Sequence, residues 1–443
     1  MPLHKSLLKN GFKLPQCEKH FHDHDETWLV LAGTGAGFWI DHAGTREEFA
    51  LEPGDVWMIP AGYEHGSVGQ NSPDFTISVF DGTMPPGCHK SGHYYIENEG
   101  YIPSFQLVKT PTGRYRKPAA LPATMKGVMF VEKGRAVLQD EPSPVCRPGQ
   151  ILCQTVYSGV TNGTERNVLL GGNYGGTWPS RCGYQTVGRV LDLGIGVKNF
   201  AIGDLVYSGN FSQHVAYFAA DAATEHAANL VIKLPAAVEP KHAALFGVAS
   251  VAMHDVRRAD SGLGDHVLVV GAGLIGQFTA QAARAAGAHV TMCDLDSRRL
   301  ALAKTLGAHE TVTITGDDSW AALKAAGMFD AIFEDSGAPI LDKLIGATWG
   351  LGLVKTRGLV VMIAGRKDVT YNFNAGQGAE LTIFHASHFD RSDILEVCRL
   401  VADGVIKVGP LIQDVVPIEN AASVYDRLRD QPNTLLGTVF EWG

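Results

Sequence analysis

Short apolar runs broken by Gly, Pro and Asp fill the first part of the chain: "TWLVLAG", "GAGFWIDHAG", "EEFALEPGDVWMIPAG" and "FTISVFDG". Strands separated by turn residues at such short intervals predict an all-β barrel or sandwich. The segment "TPTGRYRKPAALPATM" follows, with three prolines, a cluster of basic residues and neither a helical nor an alternating period, which is the pattern of an interdomain linker. Residues 126–260 again read as β-rich, with Gly-Asp turns such as "AIGDLVYSG". Beyond 260, apolar strands alternate with amphipathic segments: "HVLVVG", "LIGQFTAQAARAAG", "HVTMCDLD", "SRRLALAKTLG", then "FDAIFED" and "GLVVMIAG". That alternation predicts βαβ units and a parallel sheet covered on both faces.

A length of 443 residues is too great for one hydrophobic core, and roughly 100–200 residues per domain predicts two or three units. Hydrophobic (45%) and charged (19%) fractions are those of an ordinary globular protein. The formal charge of −9 leaves no electrostatic footprint for nucleic acid, so small-molecule chemistry is the expectation. The start "MPLHKSLLKNGF" lacks the apolar core of a secretory signal, and no apolar run reaches about 18 residues; a soluble, cytoplasmic protein without membrane contact is expected. The seven cysteines are scattered with no C-x-x-C pair, which fits a reducing compartment and argues against a structural zinc lobe.

Two constellations carry chemistry. The first is "HFHDHDETWLVLAG". Side chains alternate faces along a strand, so His20 and His22 project together, and Glu26 follows four positions on. "GDVWMIPAGYEH" then supplies Gly54, Pro60, Gly62 and His65, a tight-turn pattern that returns a histidine to the same cavity. Over about 100 residues this resembles the cupin family, with His20, His22, Glu26 and Gly33 in H-x-H-x3-E-x6-G and Gly54, Pro60, Gly62 and His65 in G-x5-P-x-G-x2-H. Leu14 stands where the first motif usually opens with glycine and Gly69 where the second often closes with asparagine; both concern turns rather than ligands. The resemblance implies a three-His, one-Glu site for a divalent transition metal, Mn, Fe, Ni or Zn, among which imidazole and carboxylate do not choose. A metal-free cupin, whose histidines bind a ligand directly, is the alternative. His24 competes as a ligand but lies at the wrong spacing for the motif.

The second constellation is "VLVVGAGLIGQFTAQAARAAGAHVTMCDLD". Gly271, Gly273 and Gly276 form G-x-G-x-x-G between a strand and a helix, with Leu274 and Ile275 inside the turn and Asp294 at the end of the next strand. The glycines allow the pyrophosphate close approach to a helix N-terminus, and the carboxylate accepts from the ribose hydroxyls, which favours NAD(H) over NADP(H). Arg298 and Arg299 just beyond weaken that preference unless they belong to a solvated helix face.

With the β-rich segment before it and "LVADGVIKVGPLIQDVVPIENAASVYDRL" after it, residues 126–443 resemble the medium-chain dehydrogenase/reductase superfamily. The implied architecture is a cupin barrel over 1–112, a linker over 113–125, a GroES-like catalytic domain over 126–260 completed by 390–443, and a Rossmann-like domain over 261–389. Nicotinamide would lie in the cleft between the last two. A homo-oligomer, dimer or tetramer, follows from both resemblances.

Zinc-dependent members carry three ligands at places matched here by "GVTNGTER", "CGYQTVG" and "AALFGVASVAMH", so Asn162, Tyr184 and about Gly247 stand where ligands are expected. The resemblance therefore points to the zinc-free branches. Hydride chemistry at an alcohol still needs a proton carrier. Tyr184 is the first candidate, as donor or base if its pKa is lowered, with Thr164 and Glu165 as relay; the alternative is that Tyr184 packs and Glu165 makes a structural ion pair. Arg166 and Arg181 are candidate clamps for an anionic substrate or plain surface residues. His254 reads as a satisfied buried histidine.

The leading expectation is thus an NAD-dependent, zinc-free dehydrogenase of a secondary alcohol on a polyol, sugar or sugar acid, fused to a cupin that binds or converts the same metabolite as an isomerase, epimerase or lyase. A quinone or enoyl reductase, and a ligand-sensing cupin fused to a dinucleotide module, are the competing readings.

Overall fold

The computed structural model describes residues 4–5, 20–22, 25–40, 45–60, 63–67, 72, 74–81, 93–95, 121–147, 149–194, 196–209, 214–224, 229–348, 350 and 352–443. They fall into two compact units: the first holds residues up to 120 with the short segments 147–149 and 194–198, the second holds the rest. Residues 113–120 of the expected linker lie outside the described residues.

Described by itself, the first unit contains two antiparallel sheets. One orders His4–Lys5, Thr76–Asp81, Glu26–Ala32 and Val56–Ile59; the other orders Arg46–Leu51, Gly35–Ile40, Glu64–Ser67, His20–His22 and His93–Tyr95. The strand Glu26–Ala32 shows why the sequence folds this way. Its burial alternates, with Glu26, Trp28 and Val30 buried and Thr27 and Leu29 partly exposed, the two-residue period of a strand with one face inward. Trp28 and Val30 join Trp57, Ile59 and Ile77 of the same sheet and Leu51 of the other in one apolar core, and the same alternation carries the carboxylate of Glu26 into it. Gly33 closes the strand at φ +72°, where an added Cβ would fall 2.5 Å from Phe75 N and Ser72 Oγ; only glycine fits.

The second unit has a β-rich sheet and a parallel one. The first orders Val231–Lys233, Leu205–Ser208, Thr186–Leu193, Gln150–Gly159, Gly437–Glu441 and Ile412–Pro417, with Tyr217–Asp221 also on Gln150–Gly159. The strand Gly437–Glu441 pairs antiparallel with Gln150–Gly159, so the chain comes back to this sheet after building the other. The parallel sheet orders Glu310–Thr313, His289–Asp294, His266–Val270, Phe329–Glu334, Val354–Met362 and Thr382–His385. Numbered along the chain that is 3-2-1-4-5-6, the doubly wound dinucleotide-binding order. Val267 to Val270, on a central strand, are all buried, as a strand covered on both faces requires. The helices Phe246–Arg258, Leu274–Ala285 and Arg391–Ala402 bury Ala249, Val256, Phe278, Ala282, Ile394 and Val397 in its core. None of the helices among the described residues is long and apolar enough to cross a membrane.

Candidate active site

The strand His266–Val270 ends in Gly271 at φ +106°, and the next helix begins at Leu274 with Gly273 as its N-cap. A Cβ on Gly276 would lie 1.9 Å from the carbonyl oxygen of Gly271, so the third glycine is what lets the helix start this close to the strand. The first N–H groups of that helix, from Gly273 to Gly276, have no intrahelical acceptor and form an anion-binding N-terminus. Asp294 is half-buried at the end of the neighbouring strand; its Oδ2 accepts from Ala272 N at 2.6 Å and its Oδ1 from Asp296 N at 2.7 Å. These bonds fix the carboxylate to the turn itself and leave lone pairs for two hydroxyls. Asp335 lies behind the turn, its Oδ2 3.4 Å from where a Gly276 Cβ would be; burial, with Asp255 adding to it, raises its pKa well above the carboxylate range. Arg299 Nη2 donates to the carbonyls of Asn433 and Leu435 at 2.9 Å each, whereas Arg298 is exposed and pairs with Asp296.

Of the three positions matched to zinc ligands, Tyr184 and Gly247 are in contact, and Asn162 adjoins Thr161, which bonds Tyr184. Tyr184 is buried, and a Cβ on Gly247 would lie 2.8 Å from Tyr184 Cε2 and 2.8 Å from Tyr207 Oη. Asn162 opens the helix Asn162–Leu170 and donates through Nδ2 to the carbonyls of Leu435 at 3.2 Å and Leu436 at 2.9 Å, while its Oδ1 is buried without a partner among the described residues. Thr161, the N-cap of that helix, hydrogen-bonds Tyr184 through its side chain. Gln185 is fully buried, donating to Thr161 Oγ1 at 3.4 Å and accepting from Val248 N at 3.2 Å. The ring of His388 lies 5.4 Å from that of Tyr184. Burial pushes the Tyr184 phenol well up, more than the Thr161 bond lowers it. That upward direction works against the lowered pKa that a base at Tyr184 would need and with the other reading, a donor.

Thr164 sits half-buried in the first turn of the helix Asn162–Leu170. Glu165, expected as a relay or as a structural ion pair, is enclosed. Its Oε1 accepts from Thr161 N at 2.7 Å and lies 3.3 Å from His214 Nε2; its Oε2 accepts from Tyr425 Oη at 2.7 Å. His214 Nδ1 is 2.8 Å from Ser158 Oγ, which accepts from Trp442 Nε1 at 2.9 Å. All of these side chains are buried, so Glu165 ties its helix to the helix Ala421–Asp430 through Tyr425 and, through His214 and Ser158, to Trp442. Arg166 donates to the carbonyls of Leu428 and Arg429, and Arg181 pairs with buried Glu141. Neither is a free clamp. His254 pairs with Asp393 at 2.7 Å, as does Arg257; the cluster of His254, Asp390 and Asp393 is occupied by that pair and by the helix cap of Asp390.

In the first unit Glu26 and His65 meet. His65 Nε2 lies 3.5 Å from Glu26 Oε1, both residues are buried, and Trp28 Nε1 also donates to Glu26 Oε1. His65 Nδ1 is 3.0 Å from the carbonyl of Tyr63, a contact that fixes the ring and leaves Nε2 on the carboxylate side. Trp28 and Trp57 meet its ring edge-to-face at 6.1 and 6.0 Å. His20 stands opposite His65 in the strand register, and His22 opposite His93; the side chains of His20 and His22 lie outside the described set.

The family model described as zinc-binding dehydrogenase matches residues 275–403. The 2-dehydro-3-deoxy-L-galactonate 5-dehydrogenase of Pseudoalteromonas atlantica is 27% identical over 293 residues, 59% of this chain and 82% of the relative. The D-guloside 3-dehydrogenase of Escherichia coli is 30% identical over 269 residues, 56% of this chain and 73% of the relative. This chain belongs to the medium-chain, alcohol dehydrogenase-like superfamily. The fold agrees: acetophenone reductase from Geotrichum candidum, solved with NAD, superposes with a TM-score of 0.63 at 22% identity, covering 73% of this chain and 98% of that one. The protein is an oxidoreductase, and as a medium-chain dehydrogenase it binds a nicotinamide dinucleotide. Thr161, Gln185 and His388, which surround the Tyr184 candidate, were not singled out from the sequence. Thr161 and Gln185 adjoin quoted motifs and were within reach; His388 in "FHASHFD" belongs to no motif.

Proposed function

We propose that the protein oxidises a secondary hydroxyl of a polyol, sugar or sugar acid with NAD, without catalytic zinc, and carries an N-terminal metal-binding cupin that binds or converts the same metabolite. The observation that carries the reading is the set Asn162, Tyr184 and Gly247: a carboxamide, a buried phenol and no side chain at all do not fit a zinc ion, and the packing of Tyr184 against Gly247 leaves no volume for a ligand there. Bound NAD supplies the hydride acceptor. The chain's own part is to hold the pyrophosphate at the Gly271–Gly276 turn and the ribose at Asp294, and to place the Tyr184 hydroxyl, oriented by Thr161, as donor to the substrate oxygen. The relatives named for sugar-acid and guloside oxidation support a polyhydroxylated substrate. Screening the full-length protein against polyols, sugars and sugar acids for NAD reduction tests the reading; no turnover with any of them, alongside quinone or enoyl reduction with NADPH, overturns it.

The dinucleotide preference has its own test. Asp294 is fixed beside the turn and repels a 2′-phosphate, so calorimetry is expected to show tighter binding of NADH than NADPH, and Asp294→Ala to narrow the gap. Equal or tighter NADPH binding by the wild type contradicts it.

For the N-terminal unit, Glu26 and His65 offer a carboxylate and an imidazole 3.5 Å apart in a dry setting, and the register brings His20 beside them; these residues fit a divalent transition metal. Purified full-length protein is expected to carry about one such ion per chain, and His65→Ala to lose it. Elemental analysis of both proteins decides, and equal metal content in the two refutes the ligand set.

A further inference from the structure

His388 lies just past the strand Thr382–His385, at the carboxyl edge of the parallel sheet that also carries the Gly271–Gly276 turn and Asp294. Ligands of open α/β sheets bind along that edge. Its backbone sits at φ +61°, a conformation that side chains other than glycine rarely adopt and that collects at binding and catalytic sites. Phe389, buried, packs beside the imidazole at 4.9 Å, and the Tyr184 ring faces it at 5.4 Å, tilted by 55°. The loop thus holds an imidazole in an unfavourable backbone conformation directly against the phenol.

Alcohol oxidation sets a requirement that Tyr184 does not meet. One proton leaves the oxygen and a hydride leaves the carbon, and a buried phenol that keeps its own proton cannot receive another. Glu165 is enclosed by Thr161, His214 and Tyr425. An imidazole, with an unperturbed pKa of about 6.5, is a neutral acceptor at physiological pH.

Building on the dehydrogenase reading above, we propose that His388 is the general base of the site and takes the hydroxyl proton of an alcohol whose oxygen Tyr184 holds by hydrogen bond. The O–H bond breaks with its proton passing to the imidazole, its electron pair becomes the second C–O bond, and the C–H pair leaves as hydride to the oxidised nicotinamide dinucleotide. In the reverse direction the imidazolium returns the proton to the carbonyl oxygen. Among the described residues, Tyr184 is a titratable group that meets His388 from outside its own segment. Along its own segment stand Arg391 and Asp390, whose carboxylate accepts from the N–H groups of Ser392 and Asp393.

The test uses full-length protein and the variant His388→Asn, chosen because asparagine tolerates the left-handed conformation. With histidine labelled at Cε1, NMR of the wild type between about pH 5 and about pH 9 is expected to show a resonance, absent from the variant, that titrates in this range and moves when Tyr184 is replaced by phenylalanine. In turnover, kcat/KM of the wild type should fall on the acid side of that titration, and His388→Asn should lose this limb together with roughly 10²-fold in kcat, its NADH dissociation constant unchanged. A His388 resonance that does not titrate, or wild-type turnover of the variant in a chemistry-limited assay, overturns the proposal. Failure of the dehydrogenase reading looks different: no alcohol then supports NAD reduction by the wild type, and the titration still decides whether His388 is a base coupled to Tyr184. Should the asparagine variant not fold, His388→Gln supplies the assignment.

Discussion

Tyr184→Phe is expected to lower turnover at saturating substrate by about 10²–10⁴-fold, the usual range for loss of a positioned proton donor, with no change in the NADH dissociation constant. The substitution keeps the ring that packs over Gly247 and beside His388 and removes only the hydroxyl that Thr161 orients. Phenol burial sharpens the expectation. Because the pKa is pushed upward, Tyr184 stays protonated on both sides of neutrality, so its own titration should leave no alkaline limb near physiological pH in the wild-type profile. Steady-state kinetics with calorimetry of NADH binding provide the check. A phenylalanine variant with near wild-type turnover, in an assay limited by chemistry, would return Tyr184 to a packing role.

Glu165→Ala is expected to destabilise the protein by about 3–5 kcal/mol, the range for removing one partner from a buried charged network. The loss leaves Tyr425 Oη, His214 Nε2 and Thr161 N buried without their acceptor, and His214 is in turn linked through Ser158 to Trp442 of the C-terminal segment. Denaturant unfolding measures the change, followed on the fluorescence of the chain's tryptophans. The same variant separates structure from relay: whatever fraction stays folded should keep most of its turnover per folded molecule if Glu165 only ties the fold together. A stability change under about 1 kcal/mol with a collapse of turnover would restore the relay.

Local patterns made parts of the architecture readable in advance. The glycine turn and Asp294 were legible because their spacing reflects a single βαβ unit, and the inward setting of Glu26 because a strand's two-residue period puts it on the face of Trp28 and Val30. What stayed hidden depends on residues distant in the chain. Glu165 finds its partners 49 and 260 residues away, and Arg299 finds its acceptors 134 and 136 residues away; neither distance leaves a trace in periodicity. His388 was invisible for another reason. Its significance rests on a left-handed backbone angle and a ring contact with Tyr184, and the second of two histidines in "FHASHFD" announces neither. The direction of the Tyr184 shift was likewise beyond sequence, because it depends on enclosure rather than on neighbours in the chain.

The close approach of Tyr184 to Gly247 works as a ratchet. A thiol or carboxylate introduced at 247 collides with the ring and with Tyr207 Oη, while a histidine introduced at 184 faces a position that offers it no companion ligand. Each change alone therefore gives either a clash or an incomplete metal site, and only their simultaneous exchange, with a ligand at 162 as well, opens a route to a metal. Libraries that vary these positions one at a time should recover no metal-dependent variant, whatever the selection pressure, whereas a combinatorial library over the three could.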